Sequence, residues 1–161
     1  METVIRIPKK RISHVKNKKE ELEERLEVEI KIGAEKADIE GESWPVWKCK
    51  DIIQAIGNGF SGREAFKLLK EENQLKIVKL KDHLHDRTEL DRTKGRIIGH
   101  GGKTLKLIKK YTGASVSVYE DKVSIIGNPQ EMAVASKAIE MFINGSPHAN
   151  VYRYLEQNQP R

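Results

Sequence analysis

The stretch GRIIGHGGKT (residues 95–104) contains four glycines and ends in Gly-Lys-Thr, as the phosphate-binding loop of many nucleotide-binding proteins does. The pattern of that loop, G-x-x-x-x-G-K-[ST], requires its first glycine at residue 97, where this chain has isoleucine. The preceding residues 89–94 (ELDRTK) are not an apolar strand, and no downstream apolar strand ends in an aspartate that could hold magnesium. Spacing and context both argue against a nucleotide-binding loop.

The same glycines fit a second pattern, Ile98-Gly99-His100-Gly101-Gly102, set between two expected helices. This I-G-x-x-G arrangement is the signature of KH modules, whose loop clamps the backbone of about four nucleotides. Because Gly99 and Gly102 have no Cβ, a sugar–phosphate backbone can lie against the main chain there. The N–H groups at the start of the following helix would point at phosphate, and the helix dipole favours an anion at that end.

The charge around the loop supports this interpretation. The chain of 161 residues has a formal net charge of +6, and its pI is near 9.3. Between residues 92 and 110 there are basic residues and no acidic one. These basic residues are Arg92, Lys94, Arg96, Lys103, Lys106, Lys109 and Lys110. A basic stretch that encloses a glycine loop favours an anionic partner such as the RNA backbone.

We therefore predict a groove that binds single-stranded RNA. Ile97, Ile98 and Val118 would form its apolar floor, and residues 114–119 would offer polar groups to the bases. His100 occupies a variable loop position and has no catalytic role in this interpretation. The predicted RNA-binding residues are Arg92, Lys94, Arg96, Ile97, Ile98, Gly99, His100, Gly101, Gly102, Lys103, Lys106 and Val118.

An internal repeat extends through the chain. Displacing the sequence against itself by 86 residues, without a gap, places apolar residues on apolar residues and glycines on glycines. Ile39 falls on Ile125, for example, and Gly41 falls on Gly127. Self-similarity over such a length predicts two related modules, here residues 1–80 and 81–161.

Each module is predicted to contain a strand, two helices, two strands and a helix, followed by a further short helix. The strands of the second module are expected at residues 75–82, 114–119 and 122–126. Asn128-Pro129-Gln130-Glu131 has the pattern of a capped helix start. The predicted fold class is α+β, with two tandem type I KH modules packed together, each a three-stranded antiparallel sheet plus helices.

The first module has no glycine loop. At the position that corresponds to residues 99–102 it carries Ser13-His14-Val15-Lys16, and the helix expected next contains six acidic residues within 20–29. Those acidic residues would repel an RNA backbone. The basic run at residues 9–19 could touch phosphate or form a solvated edge. We expect the second module to hold RNA and the first to serve as scaffold and protein-binding surface.

Four segments of the chain are distinctive: VWKCKDIIQAIGNGFSGREAFKLL (46–69), GRIIGHGGKT (95–104), ASVSVYEDKVSIIGNP (114–129) and GSPHANVYRYLE (145–156). Together they resemble the archaeal two-KH ribosome-assembly proteins, relatives of the eukaryotic partner-of-Nob factor of the pre-40S particle. The phrases AIG-x-GFS and SPH-x-x-VYRYLE are the most specific parts of this resemblance. It implies binding near the 3′ end of small-subunit rRNA, cooperation with the Nob-type endonuclease that trims that end, and contact with the alpha subunit of archaeal initiation factor two.

We expect a single-stranded RNA-binding assembly factor of the small ribosomal subunit that has no catalysis, cofactor or metal of its own. The single cysteine, Cys49, and the lack of an apolar run of about 18 residues or a signal peptide indicate a monomeric cytoplasmic protein away from membranes.

Three alternatives stay open from the residues alone. His83-Leu84-His85-Asp86 could belong to a nuclease or NTPase, although further metal ligands at useful spacing are missing. The chain could be a KH scaffold that links ribosome assembly to translation initiation and has little RNA affinity. Trp44 and Trp47 are expected in the core or between the modules, in preference to stacking on bases.

Overall fold

The structure, a computed structural model, describes residues 1–160. Its internal contacts divide the chain into two compact units. The first unit covers Met1–Lys70, and the second begins at Glu71.

The first unit contains one antiparallel sheet of three strands and four helices, of which the second and third contact the sheet. The strands are β1 (Glu2–Arg6), β2 (Glu29–Ile32) and β3 (Lys36–Glu40), and the helices are α1 (Ile12–Lys16), α2 (Lys19–Leu26), α3 (Ser43–Gly57) and α4 (Gly62–Ala65). The central strand is β3, which pairs with β1 on one side and β2 on the other.

The second unit repeats this arrangement. Its strands are β4 (Gln74–Lys79), β5 (Ser115–Tyr119) and β6 (Lys122–Gly127), and its helices are α5 (Arg87–Ile98), α6 (Lys103–Thr112), α7 (Pro129–Ile143) and α8 (His148–Gln157). The antiparallel sheet has the order β4-β6-β5. Both units follow the predicted order of elements, which confirms the α+β fold class.

The boundary between the units lies between residues 70 and 71, earlier than the predicted boundary between 80 and 81. The reason is that β4 pairs along its length with β6, so this strand belongs to the second unit. A strand is assigned to a unit by its hydrogen-bonded partner, which lies far away in the sequence.

The repeat is also not free of gaps. Val4 pairs with Asp38 in the first unit, and Ile77 pairs with Ser124 in the second. Asp38 and Ser124 are 86 residues apart, but Val4 and Ile77 are only 73 apart. The additional residues of the second unit lengthen the approach to the glycine loop, since α5 has 12 residues where α1 has five.

The core of the second unit follows from the periodicity of its elements. On α7 the buried positions recur every three or four residues, as expected for one face of a helix. These buried residues are Met132, Ala135, Ala138, Ile139 and Phe142. Val123 and Ile125 of β6 belong to the same buried cluster, together with Ile97 of α5 and Ile108 of α6. The glycine loop is therefore flanked by two helices that are both fixed to one core.

Local signals at two helix ends have the predicted geometry. The Asn128 side chain accepts a hydrogen bond from the Glu131 N–H at 2.9 Å, and the Glu131 carboxylate accepts one from the Asn128 N–H at 2.9 Å. This reciprocal capping box confirms the predicted start of α7. At the other predicted boundary, α6 ends at Thr112, and Gly113 follows with a φ of +82°.

Two places were expected for Trp44 and Trp47, the core and the contact between the modules, and the core is wrong. Each indole is 53% exposed in the structure. Both lie in the first two turns of α3, whose buried face is formed by other residues, including Val46 and Cys49.

Candidate nucleic-acid interface

The glycine loop connects the end of α5 at Ile98 to the start of α6 at Lys103. Three of its four residues have a positive φ: Gly99 at +77°, Gly101 at +60° and Gly102 at +80°. Residues with a Cβ rarely adopt this region, whereas glycine enters it without steric cost. The loop conformation therefore depends on its glycines.

The three glycines serve different purposes. A Cβ added to Gly99 would lie 2.6 Å from the Thr104 main-chain nitrogen and would also contact the Thr104 hydroxyl. Gly99 thus has a packing role within the loop, and its close approach to RNA stays a prediction. A Cβ added to Gly101 or Gly102 would have no protein atom within 4 Å. At these two residues the main chain faces open space that a phosphate group can approach.

The start of α6 suits an anion. Its N-cap residue is Gly102, which has no capping side chain, and the Gly102 and Lys103 N–H groups donate hydrogen bonds to the Gly99 and His100 carbonyl oxygens. Lys103 and Lys106 are both exposed, and the first turn contains no acidic residue. The positive end of the helix dipole and the two ammonium groups attract phosphate at this point.

A hydrogen bond behind the loop joins α6 to α8. The Thr104 Oγ1 and Tyr152 Oη atoms are 2.9 Å apart. Thr104 is only 1% exposed, so this bond satisfies a buried hydroxyl in the first turn of α6. Tyr152 thereby holds the side of the loop that leads into α6.

The other side of the loop is held by the residues at the start of α8. The His148 imidazole Nε2 lies 3.0 Å from the Arg96 carbonyl oxygen, and the Arg96 guanidinium donates a hydrogen bond to the Ser146 carbonyl. The His148 ring also packs edge-on against Phe142, with ring centroids 5.3 Å apart.

The predicted site omitted His148 and Tyr152. The signal that could have found them is the phrase SPH-x-x-VYRYLE, which places them one turn apart on a helix.

Several predicted RNA-binding residues lie on the open surface. Arg92, His100, Lys103 and Lys106 are exposed, and Ile98 and Val118 are half-buried. Ile97 is an exception, since its side chain is fully buried in the core of the unit. We therefore correct its predicted place in the groove floor, because a side chain enclosed by other side chains cannot contact a base.

Lys94 has a protein partner. Its Nζ lies 3.5 Å from the carboxylate of Asp121, in the turn between β5 and β6. Arg87 forms a two-pronged hydrogen-bonded pair with the same carboxylate at 2.8 and 2.9 Å, and Lys81 lies 3.4 Å from it. The Arg87 guanidinium holds the pKa of Asp121 well below its usual range. Part of the Lys94 charge is compensated inside the protein, so we expect it to contribute less to RNA binding than Lys103.

The first unit presents no comparable loop. Ser13 and Val15 lie within α1, and the Asn17 and Lys18 N–H groups donate hydrogen bonds to their carbonyls at 3.1 and 3.0 Å. Val15 is fully buried. The first unit thus has a regular helical turn at this position, without the glycines at positive φ that form the loop of the second unit.

One residue of the basic run at 9–19 has a structural role. Arg11 donates hydrogen bonds to the carbonyl oxygens of Ile56 at 2.9 Å and Phe60 at 3.0 Å. Phe60 and Ser146 correspond in the repeat, so Arg11 and Arg96 make equivalent contacts in the two units. In each unit an arginine ahead of the second helix fixes the connection that follows the long helix.

Three further features were searched for a site or a membrane span among the described residues. Within residues 1–160, no group of three or more His, Cys, Asp and Glu side chains is placed to hold a metal ion. Burial raises the pKa of the Cys49 thiol to about 12, so the thiolate is scarce at neutral pH. None of the described helices is long and apolar enough to cross a membrane.

Comparison with known proteins agrees with this geometry. A family model described as a eukaryotic-type KH domain (KH domain type I), that of the second KH domain of PNO1, matches residues 74–160. That range contains the glycine loop, the sheet β4-β6-β5 and all four helices of the second unit. The chain belongs to this family of type I KH proteins.

Relatives extend the similarity to the first unit. The KH domain-containing protein MJ0443 of Methanocaldococcus jannaschii is 34% identical over 98% of this chain and 74% of its own length. RNA-binding protein pno1 of Drosophila melanogaster is 30% identical over 80% of this chain. Pre-rRNA-processing protein pno1 of Schizosaccharomyces pombe is 31% identical over 71% of it. The alignments span about half the length of these two eukaryotic relatives, 53% and 48%.

Two solved structures from Pyrococcus horikoshii OT3 resemble the whole chain. The crystal structure of Dim2p has a TM-score of 0.89 at 42% identity and covers 98% of this chain and 99% of that one. The structure of an a/eIF2alpha-aDim2p-rRNA complex gives a TM-score of 0.91 at 42% identity and covers 99% of this chain and 94% of that one.

Proposed function

We propose that this protein is a single-stranded RNA-binding assembly factor of the small ribosomal subunit. It binds near the 3′ end of small-subunit rRNA through the glycine loop of its second unit and assists the maturation of that end. The observation that carries this proposal is the open main chain at Gly101 and Gly102, directly before the uncapped start of α6. The second unit is then an intact KH module, and the first is a degenerate one.

The relatives support the proposed substrate and partners. Those in flies and fission yeast are named as RNA-binding and pre-rRNA-processing proteins, and the archaeal Dim2p forms a complex with rRNA and a/eIF2alpha. We infer rRNA and the alpha subunit of initiation factor two as partners of this chain. The resemblance to partner-of-Nob factors adds the Nob-type endonuclease, which would perform the cleavage while this protein positions the RNA. We propose that it acts without catalysis of its own, as a cytoplasmic monomer.

The test is binding of a labelled single-stranded RNA that matches the 3′ end of small-subunit rRNA. The double variant Gly101→Asp/Gly102→Asp places two negative charges where the phosphate would lie. The matched control is Gly101→Asn/Gly102→Asn, since Asp and Asn have similar size and are both enriched at positive φ. We expect the Asp variant to lose affinity by about tenfold or more, which corresponds to about 1.4 kcal/mol, and the Asn variant to lose less.

The salt dependence of binding provides a second criterion. Wild-type affinity should fall as salt rises, because RNA binding releases counterions. If the folded Asp variant binds as tightly as the Asn variant, the glycine loop is not the RNA site.

A second candidate is a KH scaffold with little RNA affinity. The acidic surface of α2, which includes Glu20, Glu21 and Glu24, favours a protein partner over RNA for that part of the first unit. The scaffold function would be supported if the wild-type protein bound the initiation-factor subunit but showed no salt-dependent binding of RNA.

A further inference from the structure

Two exposed indoles lie side by side at the start of α3. Trp44 and Trp47 are three residues apart, so they are neighbours on the helix surface, and each is 53% exposed. They are the only tryptophans in the chain. Large aromatic side chains are usually buried, because their removal from water is favourable. Two adjacent exposed indoles therefore indicate a surface that a partner covers.

The fold itself does not require aromatic residues at these positions. The corresponding residues of the second unit, on α7, are Gln130 and Ala133, which are also exposed. The same helix in the related unit thus has a polar and a small residue there. The indoles distinguish the first unit from the second and call for a reason other than folding.

Positive charge accompanies both indoles. The Lys48 Nζ lies 5.8 Å from the centroid of the Trp44 ring, and the Lys50 Nζ lies 5.1 Å from that of Trp47. These cation–π contacts hold each ammonium group beside an aromatic face. The acidic groups nearest in sequence are Glu42 at the N-cap and the half-buried Asp51. Burial raises the pKa of the Asp51 carboxyl, and the charges of Lys48 and Lys50 oppose this shift, so both ammonium groups also act on a carboxyl of the protein.

We propose that Trp44, Trp47, Lys48 and Lys50 form a second RNA-binding surface, here called the tryptophan platform. Unpaired bases stack on the free faces of the indoles, and the two ammonium groups meet the phosphates of the same strand. Such a combination of aromatic faces and basic side chains is how proteins bind single strands without reading their sequence. This kind of binding needs no glycine loop. The first unit therefore has an RNA-binding surface of its own, in addition to the site proposed for the second unit.

The lysines favour RNA over a protein partner. Lysine is depleted in protein–protein interfaces, and a protein covering the indoles would have to desolvate two ammonium groups. Single-stranded RNA carries a phosphate beside every base, so stacking and charge neutralisation occur together. Duplex RNA conceals its base faces and should not engage the indoles.

Intrinsic fluorescence tests the proposal, because all tryptophan emission of this chain comes from the platform. The experiment uses the full chain carrying Gly101→Asp/Gly102→Asp, in which the loop of the second unit is disabled. It is titrated with a 12-nucleotide single-stranded RNA of mixed sequence and, separately, with a duplex of the same length. We expect saturable quenching by the single strand and little quenching by the duplex.

Variants at the indoles separate stacking from folding. In the same background, Trp44→Ala/Trp47→Ala should weaken binding of the single strand by about tenfold or more, as loss of stacked bases implies. These variants have no tryptophan, so their binding is measured by the anisotropy of a label on the RNA. Trp44→Phe/Trp47→Phe should retain most of the affinity, because phenylalanine also offers an aromatic face. The control Gln130→Ala changes the equivalent exposed position of the second unit and should bind as the background does.

The outcomes distinguish this proposal from the function proposed above. Quenching by the single strand in the loop variant supports the platform even if the loop contributes nothing. Unchanged emission at RNA concentrations that saturate the wild type overturns the platform and leaves the glycine loop as the RNA site. The platform is then free for a protein partner.

Discussion

The hydroxyl oxygens of Thr104 and Tyr152 lie 2.9 Å apart and join the first turn of α6 to α8, directly behind the glycine loop. Thr104 is buried, and a Cβ at Gly99 would collide with its main-chain nitrogen. The inner side of the loop is thus packed against Thr104, whereas on the outer side Gly101 and Gly102 border open space.

Removing the Tyr152 hydroxyl should destabilise the glycine loop, because α6 then loses its hydrogen bond to α8. Tyr152→Phe leaves the buried Thr104 hydroxyl without its partner, which costs about 1–3 kcal/mol of unfolding free energy. We expect a lower midpoint of urea unfolding and a smaller loss of RNA affinity. Tyr154→Phe, on another face of the same helix, is the control and should change neither. Equal effects of the two variants would show that the Thr104–Tyr152 bond does not support the loop.

Alanine should have unequal effects at two of the loop glycines. Both positions have a positive φ, which costs a residue with a Cβ about 1–2 kcal/mol. At Gly99 the new Cβ would also collide with Thr104, whereas at Gly102 it would enter open space. Gly99→Ala should therefore lower the free energy of unfolding clearly more than Gly102→Ala, as measured by chemical denaturation. A similar loss at both positions would contradict the packing role of Gly99.

The lysines around the loop should contribute unequally to the salt dependence of RNA binding. Each lysine that neutralises a phosphate on a single strand contributes about 0.7 to the slope of log K against log salt. Lys103→Gln should reduce the slope by about that amount. Lys94→Gln should reduce it less, since Lys94 lies 3.5 Å from Asp121. Titrations at four or more salt concentrations measure both slopes. A larger reduction by Lys94→Gln than by Lys103→Gln would contradict the expectation that Lys103 contributes more to RNA binding.

The ion cluster at Asp121 should make stability depend on pH in the acid range. Hydrogen bonds from Arg87 lower the pKa of Asp121 in the folded protein, so the folded state favours the carboxylate more than the unfolded chain does. This stabilisation is present above the unfolded pKa of about 3.9. It is lost as the pH falls through the lower folded pKa.

The variant Asp121→Asn removes this carboxylate while keeping the side-chain size. At pH 7 it should be less stable by about 1 kcal/mol, a magnitude typical of exposed ion pairs. The difference from the wild type should shrink as the pH falls below 4. Thermal unfolding of both proteins between pH 2 and 7 measures it, and a difference independent of pH would argue against the ion cluster as its cause.

Much of the fold could be predicted because its signals act over a few residues. The Asn128–Glu131 capping box, the stop at Gly113 and the apolar periodicity of α7 involve neighbours within one or two turns. The glycine loop belongs to the same class, since its positive φ values depend on residue type at each position. The element order and the G-x-x-G pattern could therefore be read from the chain.

The errors concern features that depend on distant residues. The predicted boundary at 80/81 divided the strand expected at 75–82, and the pairing of β4 with β6 assigns the whole strand to the second unit. Ile97 was placed in the groove and is in the core, while its neighbour Ile98 is half-buried. The direction of each side chain on α5 is set by how that helix packs, and two adjacent isoleucines look alike in the sequence.

By itself, the sequence determined the type and order of the elements and the chemistry of the loop, because helix caps, strand alternation and glycine torsions are local properties. Tertiary structure alone decided which parts of that chemistry face outward. It placed Tyr152 behind the loop, attached Lys94 to Asp121 and left Trp44 and Trp47 uncovered. Exposure and pairing depend on residues that are distant in the chain and adjacent only after folding.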